Sequence, residues 1–307
     1  VDGGESKTMF EVDMSGQNVK NIDRVLGKFD PSLLQNDSYT LRLEVEDIGG
    51  NISYSEGIVS IAGDLKLGNF RLSFTDLTVP VTGIPISLTR TYDTLTSSTS
   101  DDFGYGWRME FRDTDLRTGA GKPSEEQQML GKQNPFKEGT KVYITLPGGK
   151  REAFTFRPKM VERLEGQSLG VFAKYFYRPE FVADKGGTST LTVESNFIRK
   201  DNNSSEYYGF QGNPYNPADP LFGSKYILTT KEGVKYEIDA LTGDLLTVTD
   251  TNGNKLTYTD GAITSSTGQK ITFERDGLGR ITTVKDPEGT LIKYDYDTNG
   301  DLIAVTD

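Results

Sequence analysis

The side chains that could do chemistry in this chain are carboxylates, lysines and tyrosines. Its 307 residues include no histidine and no cysteine, which removes the usual general base at neutral pH, the commonest transition-metal ligand and any thiolate nucleophile. Adjacent acidic pairs such as Asp101-Asp102 and Glu125-Glu126 could serve a glycoside hydrolase, which needs two carboxylates beside the scissile bond. Since 45 Asp and Glu residues produce such pairs by chance, a carboxylate-based glycan hydrolase is the least favoured function.

Two short acidic segments superficially resemble calcium loops. They are Asp250-Thr-Asn-Gly-Asn254 and Asp297-Thr-Asn-Gly-Asp301. An EF-hand loop places its glycine at position 6, whereas Gly253 and Gly300 stand fourth in these segments. Asn-Gly between apolar strands is a strong hairpin signal. We therefore interpret both segments as turns.

Aromatic side chains offer a second kind of candidate site. Trp107, the only tryptophan, could contact a ligand, but its glycine neighbour favours a ring wedged into the core. A row of rings in the C-terminal part could form a glycan-stacking platform. Its even strand spacing favours cross-strand packing instead. The five residues of this row are Tyr236, Tyr258, Phe273, Tyr294 and Tyr296.

These aromatic residues belong to a repeated pattern. Each full copy has an aromatic residue, two further residues and an aspartate, then a glycine-led turn and an apolar strand; the copies begin at Tyr236, Phe273 and Tyr294, and Tyr258-Thr-Asp260 is a shortened copy. The last two copies close on Asp286 and Asp307, 21 residues apart. A fixed period indicates stacked supersecondary units. We expect three pairs to face one side of a sheet: Tyr236 with Val248, Phe273 with Val284, and Tyr294 with Val305.

The pattern divides the chain into three predicted domains. Residues 1–62 end in an alternating strand, 38–46, and a returning strand, 52–61, which together resemble the final hairpin of an Ig-like sandwich that is small or truncated. Residues 63–228 form a β-rich region in which Pro80 and Pro85 favour edge or bulged strands. Residues 229–307 form the repeat array.

Charge and hydropathy restrict the partners. The net charge is −11, and a uniformly acidic surface repels phosphate backbones, so we expect no nucleic acid partner. We expect no membrane span, because no apolar run approaches the roughly 18 residues of a membrane helix. Because Val1 begins without a basic and apolar leader, we expect a segment of a larger protein whose export signal lies upstream.

Motifs at two places resemble the RHS/YD-repeat proteins, which include bacterial RHS proteins, shell components of insecticidal toxin complexes, and teneurins. Arg90-Thr-Tyr92 followed by Phe103-Gly-Tyr-Gly-Trp107 resembles the opening region that precedes the family's repeats. Tyr294-Asp-Tyr-Asp297 and the closing Val305-Thr-Asp307 follow the repeat pattern, and Gly279-Arg-Ile281 supplies its Gly-Arg-Leu step. The resemblance covers about residues 63–307.

The resemblance implies an architecture. Family members wind antiparallel strands into a spiral sheet that closes into a hollow shell, which in bacterial members commonly encloses a C-terminal toxin and in teneurins supports cell adhesion. We therefore expect an all-β chain, with an Ig-like edge followed by an antiparallel sheet of YD repeats. With so few repeats, the sheet would form the opening arc of a spiral shell.

The resemblance also gives Asp286-Pro-Glu-Gly289 a second interpretation. RHS shells that release a toxin carry Asp-Pro-x-Gly at a self-cleavage site. That site normally follows the whole array, whereas here the sequence lies inside a repeat and continues into Tyr294. We therefore favour a proline-initiated turn.

These observations predict a non-catalytic structural segment of an extracellular or cell-surface protein, part of a β-shell. The expected partners are the remainder of the parent polypeptide and an enclosed toxin domain. The alternative is an adhesion module that binds a cell-surface glycan or protein. We predict no catalytic, cofactor-binding or metal-binding residues.

Overall fold

The structure is a computed structural model, and it describes residues 8–12, 25, 27–31, 34, 37–61, 70–110, 112, 114–121, 123, 127, 129–146, 149–164, 167–168, 170, 176–194, 197–200 and 205–307. The chain divides into two compact units, Val1–Gly68 and Asn69–Asp307. The all-β prediction is confirmed, since strands dominate and the bounded helices are two 3-10 turns, Thr94–Thr96 and Pro220–Phe222. The predicted domain boundaries stay predictions. No helix in the described ranges is long and apolar enough to span a bilayer.

The first unit contains the predicted hairpin. Strands β1 (Asp37–Glu46) and β2 (Ile52–Ile61) pair antiparallel over their whole length. Alternation of apolar and polar residues in β1 produces the strand, and Asp47 closes the turn by accepting the N–H of Asn51. The described residues of this unit contain this one two-stranded sheet, so the Ig-like sandwich around it stays a prediction.

The second unit contains the other strands. Its first part holds β3 (Arg71–Val79), β4 (Ile86–Asp93), β5 (Ser100–Asp101), β6 (Gly104–Tyr105), β7 (Trp107–Met109), β8 (Arg117–Thr118), β9 (Lys141–Thr145) and β10 (Arg151–Phe156). Eight short strands follow: β11 (Lys159–Met160), β12 (Arg163–Leu164), β13 (Gln167–Ser168), β14 (Phe176–Arg178), β15 (Phe181–Ala183), β16 (Thr190–Val193), β17 (Ile198–Lys200) and β18 (Tyr207–Tyr208). The last nine strands are β19 (Lys225–Thr229), at the boundary of the repeat array, and then β20 (Lys235–Asp239), β21 (Leu245–Thr249), β22 (Lys255–Thr259), β23 (Ala262–Ser265), β24 (Lys270–Arg275), β25 (Ile281–Lys285), β26 (Leu291–Tyr296) and β27 (Leu302–Thr306) within it.

One antiparallel sheet of 14 strands organises this unit. Its order runs β27-β26-β25-β24-β23-β22-β21-β20-β19-β16-β15-β10-β9-β8, so the array and the preceding β-region share one sheet. A separate three-stranded sheet, β3-β4-β7, lies in the segment 70–118, which we call the cover segment. Pro80 and Pro85 bound the connection between β3 and β4 rather than interrupting a strand, which suits their missing N–H groups.

Each full repeat is a hairpin with a bulge at the same place. The predicted pairs are confirmed as direct cross-strand neighbours: Tyr236 with Val248, Phe273 with Val284, and Tyr294 with Val305. In all three hairpins the register shifts just after the residue that follows the aromatic one on the first strand. The shortened copy has no such shift, because Thr259 pairs with Ala262 across the two-residue turn Asp260-Gly261. The extra residue therefore belongs to the full repeat.

The turns use one aspartate in a common way. Asp297 accepts the backbone N–H groups of Asn299 and Asp301 on one carboxylate oxygen, both at 2.9 Å, and Gly300 adopts φ +96°, which favours glycine. The same two N–H contacts recur in four other turns, which begin at Asp47, Asp250, Asp276 and Asp286. Asp276 and Asp297, which end two of the repeat motifs, thus close their turns in this way, while Asp239 accepts the N–H groups of Leu241 and Thr242.

The cover segment closes the apolar face of the array. Ile86 and Leu88 of β4 and Phe103 are fully buried in one hydrophobic core with the inward residues of the repeats. In the array these inward residues alternate with outward polar ones. The apolar periodicity of the repeats therefore serves one continuous core.

A charge on the inner face should unfold the second unit. Val284 is fully buried between Phe273 and Ile292, so Val284→Asp places an unpaired carboxylate in an apolar face and should lower the melting temperature by many degrees. Lys285→Asp is the matched control, because Lys285 is exposed on the opposite face. Thermal melts followed by circular dichroism measure both. Equal, small shifts would contradict the assigned inner face.

Acid should weaken the turns. The side chain of Asn254 lowers the pKa of Asp250, and the N–H of Asp301 lowers the pKa of Asp297. A lowered folded-state pKa stabilises the fold above the unfolded value of about 3.9. This contribution is lost as pH falls from there through the folded-state pKa. The melting temperature should therefore drop between pH 5 and pH 3.

An asparagine variant separates this effect from general acid unfolding. Asn can still accept the two backbone N–H groups, so changing Asp250, Asp286 and Asp297 together to Asn should preserve folding at pH 7. In the same variant, the melting temperature should decrease less than in the parent as the pH falls below 4. A triple variant with the parent's full acid dependence would show that these carboxylates do not carry it.

Candidate functional site: the contact between cover segment and repeats

The Asp286-Pro-Glu-Gly289 sequence forms a tight turn between β25 and β26. The N–H of Gly289 donates to the carbonyl of Asp286 at 3.2 Å. One carboxylate oxygen of Asp286 accepts the N–H groups of Glu288 and Thr290 at 2.9 and 2.8 Å. The interpretation as a turn is confirmed, and the carboxylate is engaged by the turn's own backbone.

The two segments that resemble calcium loops are also turns. In the first, Asp250 accepts the N–H groups of Asn252 and Asn254, both at 2.9 Å, and its second oxygen accepts the Asn254 amide at 2.7 Å. Asp297 is engaged in the same way by two N–H groups. Within the described part of the chain, no group of three or more acidic side chains is placed to hold a cation.

The aromatic row lies inside the protein. Phe273 and Tyr294 are buried, while Tyr236, Tyr258 and Tyr296 are partly buried against the same core. Burial raises the pKa of Tyr258 to about 12. Cross-strand packing is therefore confirmed, and these rings do not form an exposed platform.

Trp107 packs against the core without being fully buried. Its ring lies 5.3 Å from that of Tyr92 and 6.1 Å from that of Phe74, measured between centroids. The guanidinium of Arg90 lies 5.0 Å from its centroid, a cation–π contact. The Arg-x-Tyr and Gly-Trp motifs thus meet in one aromatic cluster.

The carboxylates of Asp101 and Asp102 are both engaged in local contacts. Asp102 is buried and its carboxylate pairs with Arg275 at 2.7 Å, while Asp101 accepts the N–H of Asp102 at 2.6 Å. These contacts hold each carboxylate in place locally, and they do not orient the two carboxylates towards each other across a groove. Glu125-Glu126 lies outside the described residues.

The structure instead brings together an ion pair and a repeat tyrosine. Arg90 of β4 donates to both oxygens of Asp76 of β3, at 2.9 and 3.1 Å. The hydroxyl of Tyr294 donates to the same carboxylate at 2.9 Å. The Arg90 and Asp76 side chains are only 13% and 8% exposed, so each would be costly to leave unpaired. Burial, together with Asp76, raises the pKa of Tyr294, which keeps its hydroxyl a donor.

Packing reinforces this contact around the glycines of the motif. The Phe103 and Tyr294 ring centroids are 4.8 Å apart. Gly104 adopts φ +86°, and a Cβ there would collide with the carbonyl oxygen of Gly300. Only glycine therefore permits the cover segment to approach the turn of the last repeat so closely.

Two backbone contacts place the cover segment at the bulges. The N–H of Ile281 donates to the carbonyl of Asp102 at 2.7 Å, and the N–H of Leu245 donates to the carbonyl of Arg112 at 2.8 Å. Leu245 and Ile281 each pair with the residue beyond the register shift in their hairpin. Equivalent positions of two repeats thus bind the same segment.

Arginines strengthen these two points. Arg112 donates to the carbonyl of Leu245 at 3.1 Å and to Asp260 at 2.9 Å. Arg275 donates to the carbonyls of Asp260 and Gly279 at 2.8 and 2.6 Å. Their planar, multi-donor head groups suit contacts with several oxygens at once.

Sequence reasoning located part of this contact. It singled out Arg90, Tyr92 and Trp107 through the family motif and Tyr294 through the repeat. It missed Asp76 and Arg112, because neither lies in a motif or a period. Asp76 is the one acidic residue of β3, and a carboxylate that is buried requires a cation beside it.

Two known families match the chain, one over the cover segment and one within the repeat array. A domain of unknown function, DUF6531, matches residues 64–121, which include the cover segment. The RHS Repeat family matches residues 260–291, within the array. No curated protein matches the chain. Contacts of Asp102 with Arg275 and Ile281, and of Arg112 with Asp260, join the two matched segments. The predicted resemblance to RHS/YD-repeat proteins is thus confirmed, and the chain contains RHS/YD repeats.

Proposed function

We propose that this chain is a non-catalytic structural segment of a large extracellular RHS/YD-repeat protein, in which its sheet forms part of a β-shell wall. The buried contact of Asp76 with Arg90 and Tyr294 supports this most directly. It joins residues 218 positions apart in the sequence and uses motif residues for structure. A sheet that forms a wall requires such a contact with a covering segment, because the repeats cannot cover their own apolar face.

The positions of the other candidate site residues also support a structural role. The carboxylates of Asp102 and Asp286 are engaged within the protein, and the aromatic row packs inward. Bacterial relatives commonly enclose a C-terminal toxin. By analogy with them, the partners of this segment are the rest of its own polypeptide and an enclosed toxin domain. Its location is the cell surface or the extracellular space.

Loss of the buried contact should destabilise the second unit in a graded way. Tyr294→Phe removes one hydrogen bond and should cost about 1 kcal/mol of unfolding free energy. Asp76→Ala leaves Arg90 buried and unpaired and should cost about 3–5 kcal/mol. Urea unfolding curves measure both. Tyr105→Phe, at an exposed ring, is the control; if it costs as much as Tyr294→Phe, the contact has no special role.

The chain should neither cleave itself nor turn over glycans. The Asp286 carboxylate accepts two backbone N–H groups, so the group needed for attack at the Asp286–Pro287 bond is engaged. Intact mass spectrometry after long incubation at pH 5 to 8 should show one unchanged species. Scission that disappears in Asp286→Ala, or hydrolysis of a glycan panel that depends on Asp101 or Asp102, would overturn the proposal.

A further inference from the structure

The outer face of the array carries a line of lysines. Five lysines alternate with inward apolar residues on five strands, so their side chains share the face opposite the core. Four are exposed and Lys255 is half-buried. Among the described residues, none of the five forms an ion pair. They are Lys235, Lys255, Lys270, Lys285 and Lys293.

The strand register makes this line continuous. Lys235 and Lys255 both pair with Thr249, one on each side of it. Lys270 lies one row further, opposite Thr264, and Lys285 one row beyond that, opposite Thr272. Lys293 pairs with Thr283 in the next row. From the usual strand spacing and rise, successive lysines are roughly 8–12 Å apart along a diagonal. We call this diagonal the lysine stripe.

The stripe is narrow. Asp295 is the next outward residue after Lys293 on β26, and Glu274 lies two outward positions beyond Lys270 on β24. Glu237 lies beside Lys235 but is approached by Lys225 at 3.9 Å. These acids border the stripe, and the whole chain carries −11. A broad anionic surface such as a membrane would therefore be repelled by the surroundings, whereas a single linear chain would not.

The neighbouring side chains identify the kind of linear anion. Threonines flank the lysines at Thr249, Thr264, Thr272 and Thr283, and hydroxyls both donate and accept hydrogen bonds. No aromatic ring occupies an outward position on β20–β27, all of whose residues the structure describes. Single-stranded nucleic acid binding generally relies on such rings for stacking. A chain with spaced acidic groups and many hydroxyls fits the stripe better.

We infer that the lysine stripe binds a linear acidic polysaccharide, whose sulfate or carboxylate groups pair with successive ammonium groups. The threonines between them engage sugar hydroxyls. This site lies on the face away from the cover segment and does not depend on the proposed shell.

Calorimetric titration with heparin and with polygalacturonate tests the inference and distinguishes sulfate from carboxylate recognition. Binding at 50 mM salt should weaken steeply as salt rises. Changing Lys270, Lys285 and Lys293 together to Gln should lower affinity at least tenfold. It should also reduce the slope of log affinity against log salt by about 2. The control changes exposed Lys132, Lys159 and Lys185 to Gln, which removes the same charge elsewhere and should alter affinity less than threefold.

Several outcomes would overturn the inference. They are absence of binding to both polymers, equal loss in the two triple variants, or equal affinity for single-stranded DNA or polyglutamate. Neutral dextran binding that ignores salt would also contradict it. Melting temperatures establish that each variant is folded, and the double variant Lys270→Gln with Lys293→Gln replaces the triple variant if that one is not.

Discussion

The apolar inner face of the long sheet is the constraint on which the rest of this structure depends. Each hairpin of the array presents inward residues such as Ile271 and Val284 that are fully buried, and a hairpin alone cannot bury them. Neighbouring hairpins extend the face sideways but leave it uncovered from above. The cover segment supplies that layer, with Ile86, Leu88 and Phe103 in the same core.

The bulge explains how an irregular segment can fit a periodic surface. An extra residue in one strand breaks the ladder locally and re-aims the backbone, and it falls at the same place in each full repeat. At two of these places the N–H of Leu245 or Ile281 binds a carbonyl of the cover segment. The repeat period thus sets where the backbone of the cover segment binds. The ion pair of Asp76 with Arg90 adds a further contact, to the hydroxyl of Tyr294 in the last repeat.

The parts that sequence predicted are those encoded locally. Alternation gives the inward set, and the aromatic-to-valine pairing follows from a short hairpin, so Phe273 opposite Val284 was predictable. An aspartate three residues before glycine encodes its own turn, because the acceptor and both donors lie within five residues. The contact of Asp76 with Tyr294 was not predictable, since it spans 218 residues and neither side chain's own neighbourhood indicates its partner. The extra residue in each hairpin was also missed, because alternation alone does not reveal a shift of register.

Because of these constraints, the positions of a repeat differ in how well they tolerate substitution. The inward aromatic and valine positions are held by packing, the turn aspartate by its N–H contacts, and the turn glycine by its positive φ. Residues such as Lys270 and Lys293 face outward from the same strands and make none of these contacts. Substitution there changes surface charge without disturbing pairing or core. A repeat can therefore keep one fold while its outer face acquires a binding chemistry, and the alternation that buries Ile271 and Ile292 is also what aligns their lysine neighbours.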